Sequence, residues 1–183
     1  EEIAESQVEF GDYGKSCDWS FDGNYLAIIG SNPVNGKEVQ VYKFDGENLT
    51  YATGVDYLGG DVRSVSWSPN GQYLAFGGGG NMKTAVYSFN SNTEELNFTY
   101  SRIYDDHDFA DGFSVYGIDW SSSGNYLAAC GWVDSDHCDN ICVYKFENDE
   151  LNTLTHAPFP APDLGYTSTY VRSVRWSPSE NYL

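Results

Sequence analysis

A motif centred on one tryptophan occurs four times in this chain of 183 residues, and the repetition constrains the fold more than any other feature. The second copy reads VRSVSWSPNGQYLAF and covers Val62 to Phe76. The other copies place Trp19, Trp120 and Trp176 in register with Trp67, at spacings of 48, 53 and 56 residues. A repeat of this length predicts an array of small units that bury their apolar surfaces against one another.

The motif itself has the pattern of a β-hairpin. Val62, Val65 and Trp67 are residue types that favour strands. The turn Ser68-Pro69-Asn70-Gly71 follows, with the fixed φ of proline and two residues that tolerate positive φ. A second apolar run, Tyr73 to Phe76, comes directly after the turn. The two runs therefore predict a tight antiparallel hairpin.

Two further runs complete each repeat. The third runs end in aromatic-polar-aromatic and cover Val39 to Phe44, Thr84 to Phe89 and Ile141 to Phe146. The fourth runs begin at a leucine and cover Leu49 to Val55, Leu96 to Tyr104 and Leu151 to Thr155. Units of four antiparallel strands without a helical period are typical of propeller blades. We therefore predict an all-β fold, a β-propeller of four-stranded antiparallel blades.

Two segments resemble the repeats of a known family: W-S-P-N-G-Q-Y-L-A, beginning at Trp67, and V-Y-S-F, ending at Phe89. Through them the chain is similar, over nearly its whole length, to WD-repeat-like β-propellers. Tyr42-Lys43 and Tyr87-Ser88 stand where typical repeats have Trp-Asp, and the usual Gly-His pair is absent. The resemblance implies three complete blades plus part of a fourth, and a platform for protein partners or self-assembly.

The repeat boundaries divide one propeller segment, residues 1–183, into five parts. We expect the outer strand of a preceding blade in residues 1–12, blade 1 in 13–57, blade 2 in 58–104, blade 3 in 105–156 and the start of blade 4 in 157–183. A closed ring needs roughly four to eight blades. We expect further blades of a longer chain, or a second copy, to complete the ring, because an open sheet edge promotes aggregation.

The charge of the chain bears on its partners. The net charge is −18, from 27 acidic and 9 basic residues. Nucleic acid and anionic membrane surfaces are poor partners for such a chain, because both attract clustered cations. No apolar run is long enough for a membrane span. The remaining candidate partners are another protein and a second copy of this chain.

The first cysteine is predicted to be part of the core. Cys17 is in register with Val65, Ile118 and Val174, each two residues before a repeated tryptophan. A free cysteine in such a position behaves as a small apolar residue. We therefore expect Cys17 to be buried in the innermost strand of the first blade.

The remaining cysteines and two sequons lean toward an extracellular protein. Cys130, Cys138 and Cys142 cluster around one loop, where a disulfide among them is geometrically feasible. The tripeptides that begin at Asn48 and Asn97 match the N-glycosylation sequon. Neither feature fixes the compartment.

Residues that do not repeat gather around the third blade. In a propeller, the connections between blades and the loops between second and third strands emerge on the same face. Acidic and aromatic residues of three loops therefore converge on one rim, which is the usual place for recognition on a constant frame. The candidate binding residues are Trp132, Phe159, Tyr166, Asp134, Asp136 and His137.

The same rim holds candidate metal ligands. Asp106, Asp108 and Asp111 are spaced closely enough to wrap oxygen ligands around Ca²⁺, although the spacing does not match an EF-hand. A zinc site is the second reading, and its donors would be His107, His137 and Cys138. Solvated loop carboxylates on a very acidic protein are the reading that the composition favours over both metals. The sequence therefore establishes no cofactor, and calcium is the first candidate.

Five charged residues belong to the innermost strands, namely Asp18, Asp119, Arg63, Arg172 and Arg175. They either line the central channel or form ion pairs between strands and blades.

No catalytic motif is found. The chain has no G-x-S-x-G elbow, and its carboxylates are too numerous for any one pair to be informative. The sequence therefore favours a non-catalytic scaffold that binds through the loop face of the third blade. The alternative is a secreted propeller that binds a ligand or glycan, with or without Ca²⁺, or that acts as a hydrolase.

Overall fold

The computed structural model describes residues 10–57, 60–79, 82–103, 114–133, 141–157 and 169–179. Within these ranges the chain forms strands and no helix, so the predicted all-β class is confirmed. It follows that no helix in the described ranges could span a membrane.

Three sheets of four strands succeed one another along the chain, and each is antiparallel in chain order. The first sheet contains β1 (Gly11–Trp19), β2 (Tyr25–Pro33), β3 (Val39–Phe44) and β4 (Leu49–Val55). The second contains β5 (Val62–Trp67), β6 (Tyr73–Gly78), β7 (Met82–Asn90) and β8 (Glu95–Ile103). The third contains β9 (Ser114–Trp120), β10 (Tyr126–Val133), β11 (Ile141–Glu147) and β12 (Glu150–Ala157). A short β13 (Thr169–Tyr170) pairs with the end of β10. We refer to the sheets as blades 1, 2 and 3.

A serine closes the first hairpin of every blade. The hydroxyl of Ser68 accepts a hydrogen bond from the backbone N–H of Tyr73 at 2.9 Å. Ser20 and Ser121 do the same in blades 1 and 3, at 2.9 and 3.1 Å. The turn also needs a residue with positive φ, and Gly71 fills this place with φ of 67°. Local turn chemistry therefore fixes the register of the hairpin.

The core lies largely in the seams between blades. Trp67 and Trp120 are each only 5% exposed, and each packs edge-on against a third-strand phenylalanine, with ring centroids 5.1 and 5.0 Å apart. A tyrosine of the preceding blade completes each cluster: Tyr25 lies 4.8 Å from Phe89, and Tyr73 lies 4.9 Å from Phe146. Burial of one such aromatic side chain stabilises the fold by about 1.5–3 kcal/mol.

The outer flank of blade 1 corrects one prediction. Cys17 was expected in the core, but it is exposed, whereas Val65 and Ile118 at the same register are 3% and 1% exposed. Trp19, on the same strand, is 44% exposed, in contrast to the buried Trp67 and Trp120. No other blade covers this flank within the part of the chain that the structure describes. Burial at this register therefore comes from the neighbouring blade.

The fourth repeat begins against blade 3. Residues 171–179 form no strand, although the motif predicts one up to Trp176. Its hairpin partner in the motif would begin at Tyr182, which lies outside the described residues. The segment nevertheless packs beside β9, where the Trp176 N–H donates to Asp119 Oδ2 at 2.7 Å and Val174 is 7% exposed.

Candidate functional site

The rim of blade 3 carries a pair of stacked aromatic rings. Trp132 lies near the end of β10 and pairs with Ser114 on β9 and with Tyr170 on β13. The rings of Trp132 and Tyr170 are stacked, with centroids 6.3 Å apart and an interplanar angle of 21°. Trp132 is half-buried, while Tyr170 is 56% exposed. One face of the pair is therefore open to a binding partner.

This pair is specific to blade 3. Counted from the start of the second strand, Ser31 and Gly79 occupy the position of Trp132 in the other two blades. The fold of a blade therefore does not require a large side chain at this position. The Trp132 Nε1 is buried and has no hydrogen-bond partner among the described residues. An unpaired donor of this kind costs free energy until an acceptor reaches it.

The other predicted site residues cannot be placed. Five candidate binding residues lie outside the described residues: Phe159, Tyr166, Asp134, Asp136 and His137. The calcium candidates Asp106, Asp108 and Asp111 also lie outside them. The same is true of the zinc candidates His107, His137 and Cys138. Elsewhere, within the ranges given above, no three His, Cys, Asp or Glu side chains are grouped to hold a metal ion.

Two of the clustered cysteines lie in the core. Cys130 and Cys142 are both buried in blade 3 and are not bonded to each other, and Cys138 lies outside the described residues. Burial raises the pKa of the Cys130 thiol to about 12. Cys130 is therefore protonated at neutral pH and is not a reactive thiolate.

Charged residues of the inner strands line a cleft of about 180 Å³, which we call the inner-strand cleft. Four cationic side chains line it, two of them from the fourth repeat: Lys15, Arg63, Arg172 and Arg175. Lys15, Arg63 and Arg172 share one register position with Tyr116, whose ring lies 4.5 Å from the Arg63 guanidinium. Sequence reasoning missed Lys15 and Tyr116. Comparison of this register position across the four repeats is the signal that would have found them.

Carboxylates at the margin pair with some of these cations. Asp61 accepts hydrogen bonds from Lys15 and from Arg63 Nε, the latter at 2.8 Å. Partial burial disfavours its carboxylate, but these two partners outweigh burial and lower the pKa of Asp61 below its ordinary value. Asp119 accepts from Arg175 Nη1 at 2.8 Å. Ion pairing, one of the two roles predicted for the inner-strand charges, is therefore observed for Arg63, Asp119 and Arg175.

The residue before each repeated tryptophan joins two blades. Asp18 Oδ2 accepts from the backbone N–H of Trp67 at 2.7 Å, and Ser66 Oγ accepts from that of Trp120 at 3.3 Å. Burial raises the pKa of Asp18, against the effect of this hydrogen bond. These side chains hold neighbouring inner strands together and are structural.

A larger cleft of about 610 Å³ opens between blades 1 and 2, at the hairpin turns. It is lined mostly by turn residues such as Asp22, Asn70 and Asn90. These side chains accept hydrogen bonds from backbone N–H groups of their own turns. The polar side chains that line this cleft therefore serve to stabilise the turns, and they do not converge on a common point where a ligand would bind.

The family model described as "WD domain, G-beta repeat" matches residues 53–84 and 98–144. The resemblance inferred from the tryptophan motifs is thereby confirmed over these residues. No curated protein sequence is significantly similar to this chain.

Solved structures show the same fold. A chain of a mitotic checkpoint complex has a TM-score of 0.64 at 20% identity, over 92% of this chain and 44% of that one. The Swd1 β-propeller domain of Myceliophteria thermophila has a TM-score of 0.61 at 11% identity, over 90% and 47%. A periplasmic gluconolactonase of Pseudomonas aeruginosa has a TM-score of 0.60 at 14% identity, over 88% and 43%. The chain therefore spans less than half the length of these structures, and identities this low show the fold alone.

Proposed function

We propose that this WD-repeat chain is a non-catalytic propeller scaffold that binds a protein partner through the loop face of blade 3. WD propellers in general support protein interaction, and one structure similar to this chain is a multiprotein complex. The observation that carries the choice of face is the Trp132–Tyr170 pair, which is stacked, specific to blade 3 and open on one side.

The chemistry of the pair suits a protein contact. Tryptophan and tyrosine combine a large apolar area with few rotatable bonds and a polar tip, so little conformational entropy is lost when they are covered. Such residues carry much of the binding free energy at protein interfaces. Strand pairing between β10 and β13 already orders both residues, which lowers the cost of binding further.

A peptide library displayed on phage and selected against the wild-type chain would test this face. Selected peptides should bind the Trp132→Ala and Tyr170→Ala variants at least about tenfold more weakly, since loss of an aromatic anchor costs about 2 kcal/mol or more. Phe98→Ala is the matched control, because Phe98 is 57% exposed on blade 2, close to the 56% of Tyr170. Peptides that bind all three variants with wild-type affinity would contradict the proposal.

The flank of blade 1 supports a second part of the proposal, completion of the ring by another blade. Trp19 contacts Phe44 with ring centroids 5.5 Å apart, as the buried tryptophans contact their own phenylalanines. What the flank lacks is the tyrosine that Tyr25 and Tyr73 supply to the next blades. The occupant that fits is therefore a further blade with a tyrosine at that position.

Light scattering over a concentration series separates the two sources of that blade. A dimer that forms at high concentration and is lost in Trp19→Ala would support a second copy. A monomer at every concentration would contradict self-completion and leave the blades of a longer chain.

Calcium binding by Asp106, Asp108 and Asp111 remains a proposal and belongs to the alternative function, a secreted ligand-binding or hydrolytic propeller. The likeness to a gluconolactonase fits that alternative only weakly, because 14% identity shows the fold alone. Calorimetric titration with calcium chloride should show saturable heat in the wild type and none in an Asp108→Asn variant. No heat, together with a melting temperature unaffected by EDTA, would contradict calcium binding.

A further inference from the structure

The inner-strand cleft concentrates positive charge in an acidic chain. Four of its 9 lysines and arginines line this cleft, namely Lys15, Arg63, Arg172 and Arg175. No aspartate or glutamate is among the described lining residues, which otherwise include three serines and Tyr116. The net charge of −18 makes such a cluster unexpected as a result of composition alone.

The cations are incompletely neutralised by the described residues. Lys15 and Arg63 share one carboxylate, that of Asp61, and Arg175 pairs with Asp119. Arg172 is exposed and forms no ion pair with any residue in the described ranges. Arg63 Nη1 is buried and has no hydrogen-bond partner there. A buried N–H group gains free energy when it meets an acceptor, so this nitrogen is available to donate to one.

The arrangement of the inner strands places these cationic groups close together. Lys15, Arg63 and Arg172 occupy one register position on three inner strands, so they lie at the same level of the propeller. Gly117 allows the fourth-repeat segment to approach β9, because a Cβ at this position would lie 2.9 Å from Ser173 Cα. Without that approach, Arg172 and Arg175 would lie farther from Arg63.

We propose that the inner-strand cleft binds a single oxyanion group, a phosphate or a carboxylate. Arg63 Nη1 and the Arg172 guanidinium donate N–H groups to it, and Lys15 contributes charge. Arginine binds both oxyanions through paired N–H groups, which is why the two share one chemistry. The cleft volume of about 180 Å³ suits one such group, since pockets for drug-sized ligands measure about 300–1,000 Å³.

Calorimetric titration of the full chain with sodium phosphate, and separately with sodium acetate, tests the proposal and distinguishes the two sources. Sodium chloride at matched ionic strength is the blank. We expect one saturable site per chain for at least one of the two anions. Phosphate binding alone would assign the site to a phosphate, and acetate binding alone would assign it to a carboxylate. No saturable binding of either anion would overturn the proposal.

Variants locate the site. Arg172→Gln should weaken binding about tenfold, because a charge-assisted hydrogen bond is lost. Arg172 has no described partner, so its loss should leave the melting temperature unchanged. Lys145→Gln is the matched control, since it removes the same charge from β11, the third strand of blade 3, away from the cleft. Equal weakening by both variants would show a general charge effect and overturn the assignment.

Trp132→Ala should leave oxyanion binding unchanged, which separates this site from the proposed protein-binding face.

Discussion

The seams between blades and the outer flank of blade 1 are built from the same motif but differ in burial. Trp67 and Trp120 are 5% exposed, whereas Trp19 is 44% exposed. All three indoles pack edge-on against a phenylalanine of their own blade, with ring centroids 5.0–5.5 Å apart. The difference is the tyrosine and the inner strand of the preceding blade. The repeat therefore encodes half of an interface, and its partner repeat supplies the other half.

The largest effect should come from the tryptophans themselves. Trp67→Ala should lower the free energy of unfolding by about 3–5 kcal/mol, because it leaves a cavity in a packed seam. Trp19→Ala should lower it by about 1 kcal/mol or less, because its indole is already partly in solvent. Urea denaturation of both variants gives the comparison. Equal losses would show that the flank is as well packed as the seam.

A smaller effect is expected where a serine joins blades 2 and 3. Ser64 Oγ accepts a hydrogen bond from the backbone N–H of Ile118 at 3.0 Å in a buried setting. Ser64→Ala should cost about 1–3 kcal/mol, because it leaves that N–H unpaired. Ser16 holds the same register on blade 1 and has no such bond among the described residues, so Ser16→Ala is the control. Hydrogen exchange at the Ile118 amide should accelerate only in the Ser64 variant; protection equal to the wild type would contradict the contact.

Acid should weaken the seam between blades 1 and 2 selectively. The pKa of Asp61 is lower in the folded chain than its ordinary value, so its ion pairs stabilise the fold above about pH 4 and are lost as the pH falls through the folded pKa. Asp61→Asn should therefore lower the denaturant midpoint at pH 7, and the difference from the wild type should shrink steadily as the pH falls below about 4. A difference that stays the same at every pH would show that the carboxylate charge is not the cause.

The smallest effect concerns a tyrosine hydroxyl. Tyr73 donates to Asp149 Oδ1 at 2.6 Å in an exposed setting, while its ring packs against Trp120 and Phe146. Tyr73→Phe should cost about 0.5 kcal/mol, because water replaces the exposed hydrogen bond. Tyr73→Ala, which removes the ring, should cost several times more. Similar losses in the two variants, measured by urea denaturation, would mean that the hydroxyl and not the ring holds the seam.

The strands could be predicted from the sequence because their signals are local. The run Val39 to Phe44 coincides with β3, since β-favouring residues alternate between turns. Burial could be predicted only where a neighbour covers the strand. Cys17 has the sequence context of Val65 and yet is exposed, because the blade that would cover it is not among the described residues.

Of the two candidate sites, the Trp132 site could be predicted in part from the sequence and the inner-strand cleft could not. Trp132 stood out because it does not recur in the other repeats, and the structure places it against Tyr170. The inner-strand cleft was not found, because Lys15, Arg63 and Arg172 are separated by 48 and 109 residues in the sequence and meet only through blade packing. Long-range proximity of this kind depends on the propeller geometry and not on any local motif.

The central claim is that the tryptophan motif is an interblade surface, closed in the seams and open on the flank. Fluorine NMR of the chain labelled with 5-fluorotryptophan tests it directly, with resonances assigned from Trp→Phe variants. At a concentration where light scattering shows a monomer, the shift between H₂O and D₂O should be large for Trp19 and small for Trp67 and Trp120. Equal shifts for the three residues would contradict the claim.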